Sequence, residues 1–150
     1  MSYKLETKTE GELKELWDGA NSNIQYYQEK INDNKTKRGK YTSAKRYLSG
    51  AKTSMHDAVT EMKDVISNYK ADYNGSTTAE EWVESATVWK NTISSAWIQA
   101  GYQYDAINDR ISELADEYED LYRIKQANVE MKQDIKSELA RRNISTSWCS

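Results

Sequence analysis

The strongest constraint on this chain is a single break that separates two long segments with helical periodicity. The break is the stretch DYNGSTTAEEW at residues 72–82, and none of the 150 residues is a proline that could end a helix elsewhere. Asn74 and Gly75 tolerate the positive φ that follows a helix C-terminus, and the hydroxyl side chains after them can cap a new helix. We therefore predict an elbow at residues 73–78, in which Tyr73, Asn74 and Gly75 form the turn motif.

Capping signals mark the start of each predicted helix. Thr78-x-x-Glu81 follows the elbow, and Thr9-x-x-Glu12 precedes the first periodic run. In this pattern the threonine hydroxyl and the glutamate carboxylate each accept a hydrogen bond from an unpaired main-chain amide of the first turn. The predicted helices cover about residues 9–72 and 79–141.

Two segments carry weak helical signals. DGANSN, at residues 18–23, is rich in Gly and Asn, which favour turns over helix interiors. It leaves two alternatives open: a break that detaches a short N-terminal helix, or one uninterrupted helix. NISTSWCS, at the C-terminus, has lost the apolar periodicity, so we expect a frayed tail over residues 142–150.

Apolar residues recur at 3-4 spacing in both segments, which predicts two helices paired along one seam. The stripe of the second segment is unbroken over eight positions. The first segment offers two registers. One passes through polar positions such as Arg38 and Lys45. The other, which runs from Ala44 to Tyr69, alternates small and large residues, and we favour it because alanines let a partner helix approach closely. The predicted seam residues are Leu48, Met55, Met62, Tyr69, Trp97, Ile107, Ile111, Leu114 and Leu121.

Charge predicts how the two helices pair. Residues 30–52 contain eight Lys or Arg and one Asp, a net charge of +7. Residues 98–120 contain seven Asp or Glu and one Arg, a net charge of −6. Folding the chain antiparallel about Gly75 places these segments opposite each other, which favours this register over a parallel arrangement. The sequence thus predicts an all-α, single-domain fold, a long antiparallel two-helix hairpin that resembles a coiled coil.

The apolar content indicates that the hairpin needs a partner. Hydrophobic residues make up 37% of the chain and phenylalanine is absent, which suffices for one narrow seam. A bare hairpin buries one stripe of each helix, so other apolar side chains remain for a second pair of helices. We expect an obligate hetero- or homo-oligomer in which a helical protein partner completes a four-helix bundle. The candidate interface residues are Trp82, Trp89, Ile98, Tyr102 and Tyr122.

The sequence offers no recognisable catalytic or metal-binding constellation. His56 is the only histidine, so neither a histidine pair for a metal nor a Ser-His-Asp arrangement can form within one chain. Cys149, the single cysteine, has no neighbouring base that would activate its thiol. The acidic run ADEYED, residues 115–120, lacks the Asp-x-Asp-x-Asp-Gly pattern of a calcium loop. We expect a protein that is not an enzyme and holds no metal or cofactor.

Membrane and nucleic-acid functions are also disfavoured. No run of 18 apolar residues exists, so we expect no stable membrane insertion. The start MSYKLETKTE lacks the apolar core of a secretory signal, which predicts a cytoplasmic protein, exported if at all by a route independent of a signal peptide. A basic stretch with tyrosines, KTKRGKYTSAKRY, could follow phosphates. Because the acidic segment is expected to face it and the net charge is −3, we expect no nucleic-acid partner.

The order of these features resembles a known family. A long helix, the aromatic-x-Gly elbow Tyr73-Asn74-Gly75 and a hydroxyl-rich cap are similar to the WXG-type helical hairpins of type VII secretion systems. Tyr73 stands where that family has tryptophan. The second half, AEEWVESATVWKNTISSAWIQAGYQYDAINDRISELADEY, is similar in pattern to the small proteins that accompany LXG toxins in Gram-positive bacteria. The likeness covers roughly residues 24–125.

The resemblance implies a function as an adaptor or chaperone. Such a protein would pair with the helical N-terminal region of a toxin, cover its apolar stripe and help to present the pair for type VII export. A homodimeric coiled-coil scaffold or phage structural protein with no secretion role is the alternative interpretation.

Overall fold

The computed structural model describes residues 4–72, 75 and 77–149. In this part of the chain the fold is all-α, a hairpin of two long helices that pack against each other, which confirms the predicted fold class. One turn of 3-10 helix, Leu5–Thr7, precedes helix α1, Glu10–Asp72, and helix α2, Thr77–Arg141. Both helices begin and end within two residues of their predicted bounds.

The hairpin contains two compact units. The terminal unit consists of Met1–Arg38 and Glu113–Ser150, and the turn unit is Gly39–Ser112. Each unit is therefore a pair of antiparallel helical segments, one from α1 and one from α2.

The predicted capping box at the start of α1 is confirmed. The main-chain amide of Thr9 donates to Glu12 Oε2 at 2.7 Å, and the amide of Glu12 donates to Thr9 Oγ1 at 3.2 Å. This exchange satisfies two of the amides that a helix N-terminus leaves unpaired.

DGANSN does not interrupt α1. The helix runs through residues 18–23 without a break, so no separate N-terminal α-helix forms there. Trp17 and Ala20 are buried, and Asn23 Nδ2 donates to Asn128 Oδ1 of α2 at 3.1 Å. Burial against α2 and this cross-helix hydrogen bond outweigh the local preference of Gly and Asn for turns.

The C-terminal tail is packed, so the expectation of fraying was wrong. Trp148 meets Trp17 edge to face with ring centroids 6.1 Å apart, and Cys149 is buried beside it. These residues extend a core cluster of the terminal unit that combines both ends of the chain with the first turns of α1 and the last turns of α2. The buried members of this cluster are Leu5, Leu13, Trp17, Ile135, Leu139 and Cys149. The loss of helical periodicity correctly marked the end of α2. It did not mean that the residues after α2 are unpacked, because the apolar Trp148 and Cys149 pack on the core cluster.

A terminal clasp, formed by Arg142 and Glu138, holds the two ends together. The Arg142 guanidinium donates to the main-chain carbonyls of Lys8 at 2.5 Å, Leu5 at 2.7 Å and Glu6 at 3.0 Å. Its Nε also donates to Glu138 Oε1 at 2.7 Å. Three main-chain carbonyls before α1 are thereby bound by a charged donor whose own charge is balanced by a carboxylate.

The seam of the terminal unit includes polar residues. Asn34 is buried, and its Nδ2 donates to the Leu114 carbonyl at 3.0 Å and to Glu117 Oε2 at 3.1 Å. Gln28 accepts a hydrogen bond from Lys125 Nζ at 2.6 Å. These contacts fix the register of α1 on α2, because a shift along the seam would leave buried polar atoms unpaired.

In the turn unit, α1 uses the register with polar positions, so the favoured alanine register was wrong at Ala44 and Val65. Ala44 and Val65 are exposed, Val65 by 49%, whereas Ile66 is 8% exposed. The seam side includes Lys45 and Lys52, whose ammonium groups lie over aromatic rings of α2. An aromatic face accepts a cation while the aliphatic part of lysine packs in the seam, so lysine is compatible with this register.

The predicted seam residues lie along the contact of α1 and α2 with different degrees of burial. Leu114 is 1% exposed and Trp97 is 39% exposed. The others are half-buried, namely Leu48, Met55, Met62, Tyr69, Ile107, Ile111 and Leu121.

Cations of α1 contact rings and amides of α2 where the charge pattern predicted opposite charges. Lys35 and Arg38 lie over the Tyr118 ring at 5.6 Å and 5.8 Å. Lys45 Nζ lies 2.6 Å from Asn108 Oδ1 and 5.2 Å from the Tyr104 ring centroid. Two carboxylates of the charged segments form ion pairs along their own helix, Asp33 with Lys37 at 3.2 Å and Asp120 with Arg123 at 2.7 Å.

Between the end of α1 and the start of α2, the structure describes Gly75, which is exposed and has a φ of 85°. That positive φ is the backbone geometry for which glycine was expected. Tyr73 and Asn74 of the predicted motif lie outside the described residues. Helix α2 begins at Thr77, one residue before the predicted cap Thr78, and Thr78 and Glu81 are exposed in its first two turns.

Leu114→Ala should destabilise the protein by about 3 kcal/mol, because it leaves a cavity at a fully buried seam position. Val88→Ala, on the same helix at an exposed position, should change the free energy of unfolding by less than about 0.5 kcal/mol. Urea unfolding followed by circular dichroism measures both. Equal effects would show that Leu114 is not a core residue.

Glu138→Gln should alter how stability depends on pH. The Arg141 and Arg142 guanidinium groups lower the pKa of Glu138 from 4.5 to about 2. A carboxylate with a lowered pKa stabilises the folded state above its ordinary pKa, and this contribution is lost as pH falls through the folded-state value. The stability difference between wild type and Glu138→Gln should therefore shrink steadily between pH 4.5 and about 2. Glu119→Gln, at an exposed position of the same unit, is the control for loss of a surface carboxylate and should change the free energy of unfolding by less than about 0.5 kcal/mol at neutral pH. A pH-independent difference for Glu138→Gln would contradict the clasp.

Candidate functional site: the apolar surface of the turn unit

The two units differ in how many of their large hydrophobic side chains are buried. Among the described residues, the buried hydrophobic side chains of the turn unit are Ile66 and three alanines. The same unit exposes eight large hydrophobic side chains: Tyr47, Val65, Trp82, Val88, Trp89, Trp97, Ile98 and Tyr102. In the terminal unit the large exposed hydrophobics are Tyr26, Tyr122 and Ile124, beside a compact core cluster. Exposed apolar side chains that cluster are typical of a binding surface, and two clusters here line grooves: Trp82 with Trp89, and Trp97 with Ile98.

One part of this surface is the tryptophan groove, near the elbow. It has a volume of about 300 Å³ and is lined by Met62, Trp82, Ser85, Ala86 and Trp89. Trp82 packs inward on Tyr69, with ring centroids 4.3 Å apart, whereas Trp89 is 68% exposed. The two tryptophans are seven residues apart and so lie on the same face of α2, with the small Ala86 between them. This geometry forms a cleft with indole walls and a small-residue floor.

A second part is the basic groove, made of two connected depressions between α1 and α2. The first has a volume of about 400 Å³ and is lined by Ser49, Lys52, Thr53, His56, Trp97 and Tyr104. The second has a volume of about 270 Å³ and is lined by Val59, Thr60, Lys63, Ser94 and Ile98 together with His56 and Trp97. The described residues that line it thus include two lysines and a histidine but no carboxylate.

Aromatic rings position the cation at the end of the basic groove that is farther from the elbow. Lys52 Nζ lies 5.7 Å from the Trp97 ring centroid and 5.2 Å from that of Tyr104. Gly101 of α2 lies close to this ammonium group, since a Cβ at that position would stand 3.6 Å from Lys52 Nζ, an ordinary van der Waals distance. His56 completes the wall, its ring 6.1 Å from the Trp97 ring. Ring contacts hold the ammonium group in place without neutralising its charge.

The structure places the five predicted interface residues on more than one surface. Trp82 and Trp89 line the tryptophan groove, and Ile98 lines the basic groove. Tyr102 is exposed and lines neither groove. Tyr122 belongs to the terminal unit, where it stacks on Tyr118 at 6.2 Å and its hydroxyl accepts a hydrogen bond from Gln126 at 2.8 Å.

Lys52, His56 and Lys63 were not among the predicted interface residues. Their spacing contained a usable signal: Lys52 and Lys63 are eleven residues apart, and His56 lies between them on the same side of α1. Recognising that signal required the seam register with polar positions, in which all three residues border α2.

The structure also bears on three other functions considered from the sequence: a reactive cysteine, a metal site and a membrane span. Burial raises the pKa of the Cys149 thiol, which disfavours the reactive thiolate. Among the described residues, no group of three or more His, Cys, Asp or Glu side chains is arranged to hold a metal ion. Neither α1 nor α2, as far as they are described, contains a segment long and apolar enough to cross a membrane.

Comparisons with protein-family models, with curated proteins and with solved structures found no match to this chain. The fold and the surface of the turn unit therefore define the class of protein: an all-α helical hairpin with an exposed aromatic surface.

Trp89→Ala should leave the free energy of unfolding within about 0.5 kcal/mol of wild type, because the side chain is largely exposed. Trp17→Ala should cost about 3 to 5 kcal/mol, since it removes a buried ring from the core cluster. Thermal and urea unfolding compare the two variants. A large loss of stability in Trp89→Ala would mean that Trp89 is part of the core.

Proposed function

We propose that this chain is a non-enzymatic partner protein that binds the helical N-terminal region of an LXG-type toxin for type VII secretion. The elbow pattern and the resemblance of the second half to small LXG-toxin-associated proteins support the choice of partner. The apolar surface of the turn unit supports the binding role.

The observation that carries this proposal is the contrast between the two units. The tail of the terminal unit packs on its core cluster, whereas the described part of the turn unit leaves eight large hydrophobic side chains exposed. Covering this surface with apolar groups of a partner would be favourable by about 25 cal/mol for each Å² removed from water. A partner is the simplest way to complete a hairpin of this kind.

The geometry of the surface favours a helix as the bound element. The tryptophan groove lies along the helices, and its tryptophans are spaced by two helical turns. An approaching helix presents side chains at the same spacing, so one of its large residues can enter between Trp82 and Trp89 over Ala86. The result is a four-helix arrangement if the partner is itself a helical hairpin.

Co-expression tests the proposal. The full chain is produced with the N-terminal helical region of an LXG toxin encoded beside it, and the purified sample is analysed by size-exclusion chromatography with light scattering. We expect a stable heteromeric complex. Trp89→Ala should weaken it about 30-fold, as for a central aromatic contact, and Ile124→Ala, at an exposed position of the terminal unit, should leave it nearly unchanged.

A homodimer that ignores the toxin fragment would contradict the secretion function and favour the alternative of a coiled-coil scaffold. Retention of full affinity by Trp89→Ala would contradict the assignment of the tryptophan groove to the interface.

A further inference from the structure

We propose that the basic groove selects the partner helix by charge: it binds an amphipathic helix whose carboxylates lie about three turns apart on either side of a large apolar side chain. The inference rests on the proposed function, because it takes a helical protein segment as the ligand. It adds the chemistry that this segment must present.

The spacing of the two lysines sets the first requirement. Lys52 and Lys63 line opposite ends of the basic groove and are eleven residues apart on α1. Eleven residues are close to three turns of helix, so both lie on one side of α1, about 16 Å apart along its axis. A helix that lies along the groove brings residues of the same spacing to both lysines.

The charge of the groove sets the second requirement. Rings hold Lys52, no carboxylate is among the described residues that line the groove, and Lys63 is exposed at the other end. Lys45, just beyond Lys52, is bonded to a neutral amide, that of Asn108 at 2.6 Å, and adds to the positive potential. Carboxylates on a partner would complement these groups, and lysines there would be repelled.

The apolar floor sets the third requirement and argues against nucleic acid. Between the two lysines the groove is lined by Val59, Trp97 and Ile98, and both Trp97 and Ile98 are exposed. A large aliphatic or aromatic side chain can cover this floor. Duplex DNA carries a phosphate charge about every 1.7 Å along its axis, so it needs a denser row of cations than two lysines about 16 Å apart.

The test uses two labelled synthetic helices and the full chain. The first peptide has two glutamates eleven positions apart with leucines between them on the same face, and the second has glutamine in place of both glutamates. Fluorescence anisotropy measures their binding at low salt and at about 1 M salt. We expect the glutamate peptide to bind at least about 5-fold more tightly at low salt, and the two peptides to bind equally at high salt.

Lysine substitutions inside and outside the groove test whether the preference for the glutamate peptide depends on the groove. Lys63→Glu should remove the advantage of the glutamate peptide, and Lys63→Arg should retain it. Lys40→Glu is the control, since Lys40 is exposed in the same unit and does not line the groove. It makes the same change in net charge and should keep most of the preference. Melting curves measured by circular dichroism verify that all three variants are folded.

Several results would overturn the inference. Equal binding of the two peptides at low salt, equal effects of Lys63→Glu and Lys40→Glu, or a preference for a polyphosphate or an oligonucleotide over the glutamate peptide would each do so. The toxin complex separates this inference from the proposed function. If the complex forms and Lys63→Glu leaves its affinity and salt dependence unchanged, charge selection fails and the partner function stands. If no complex forms while the glutamate peptide is still preferred, the choice of toxin partner fails and charge selection stands.

Discussion

The contact between cations of α1 and aromatic rings of α2 is the interaction on which this hairpin depends. A seam with lysine and arginine at inward positions would ordinarily cost more desolvation free energy than it returns. In each unit a tyrosine or tryptophan of α2 covers the cation: Tyr118 under Arg38 in the terminal unit, and Trp97 and Tyr104 around Lys52 in the turn unit. Such contacts contribute about 0.5 to 2 kcal/mol each, depending on burial. They let an apolar-poor sequence pair two long helices and specify one register.

The terminal unit and the turn unit differ in whether their apolar side chains are covered. The terminal unit is closed, because the ends of the chain and the clasp around Arg142 cover its apolar cluster. The turn unit is open, and its few buried side chains include three alanines. Small buried residues bring the helices together without building a large core, so the bulkier tryptophans remain on the outside. Stability and recognition are thus assigned to different parts of the same helices.

The sequence predicted the elements better than it predicted their faces. Capping and the break at Gly75 are local signals, and they placed the helix ends within two residues. The choice between Val65 and Ile66 as the inward residue could not be made locally, because the correct register passes through lysines that become favourable only when the rings of α2 are in place. The two tryptophans of the tryptophan groove were predicted as interface residues from the sequence alone. The basic groove was not predicted, because its lysines border α2 only in the register with polar positions. The packing of Cys149 depended on a distant surface that no periodicity encodes.

The clasp has a consequence for the connectivity of the chain. Because the Arg142 side chain contacts the main chain of residues 5–8 directly, the segment before α1 lies beside the end of α2, and a short peptide linker could connect these two segments. New ends could then be opened at the exposed Gly75, which would convert one hairpin into two antiparallel helices connected at the opposite end. The loop that connects the two helices would then be the linker beside the clasp instead of the glycine turn, and the entropy cost of loop closure would be that of the linker. A circularly permuted protein of this kind would keep every side-chain contact of both units while reversing the order in which its helices are synthesised.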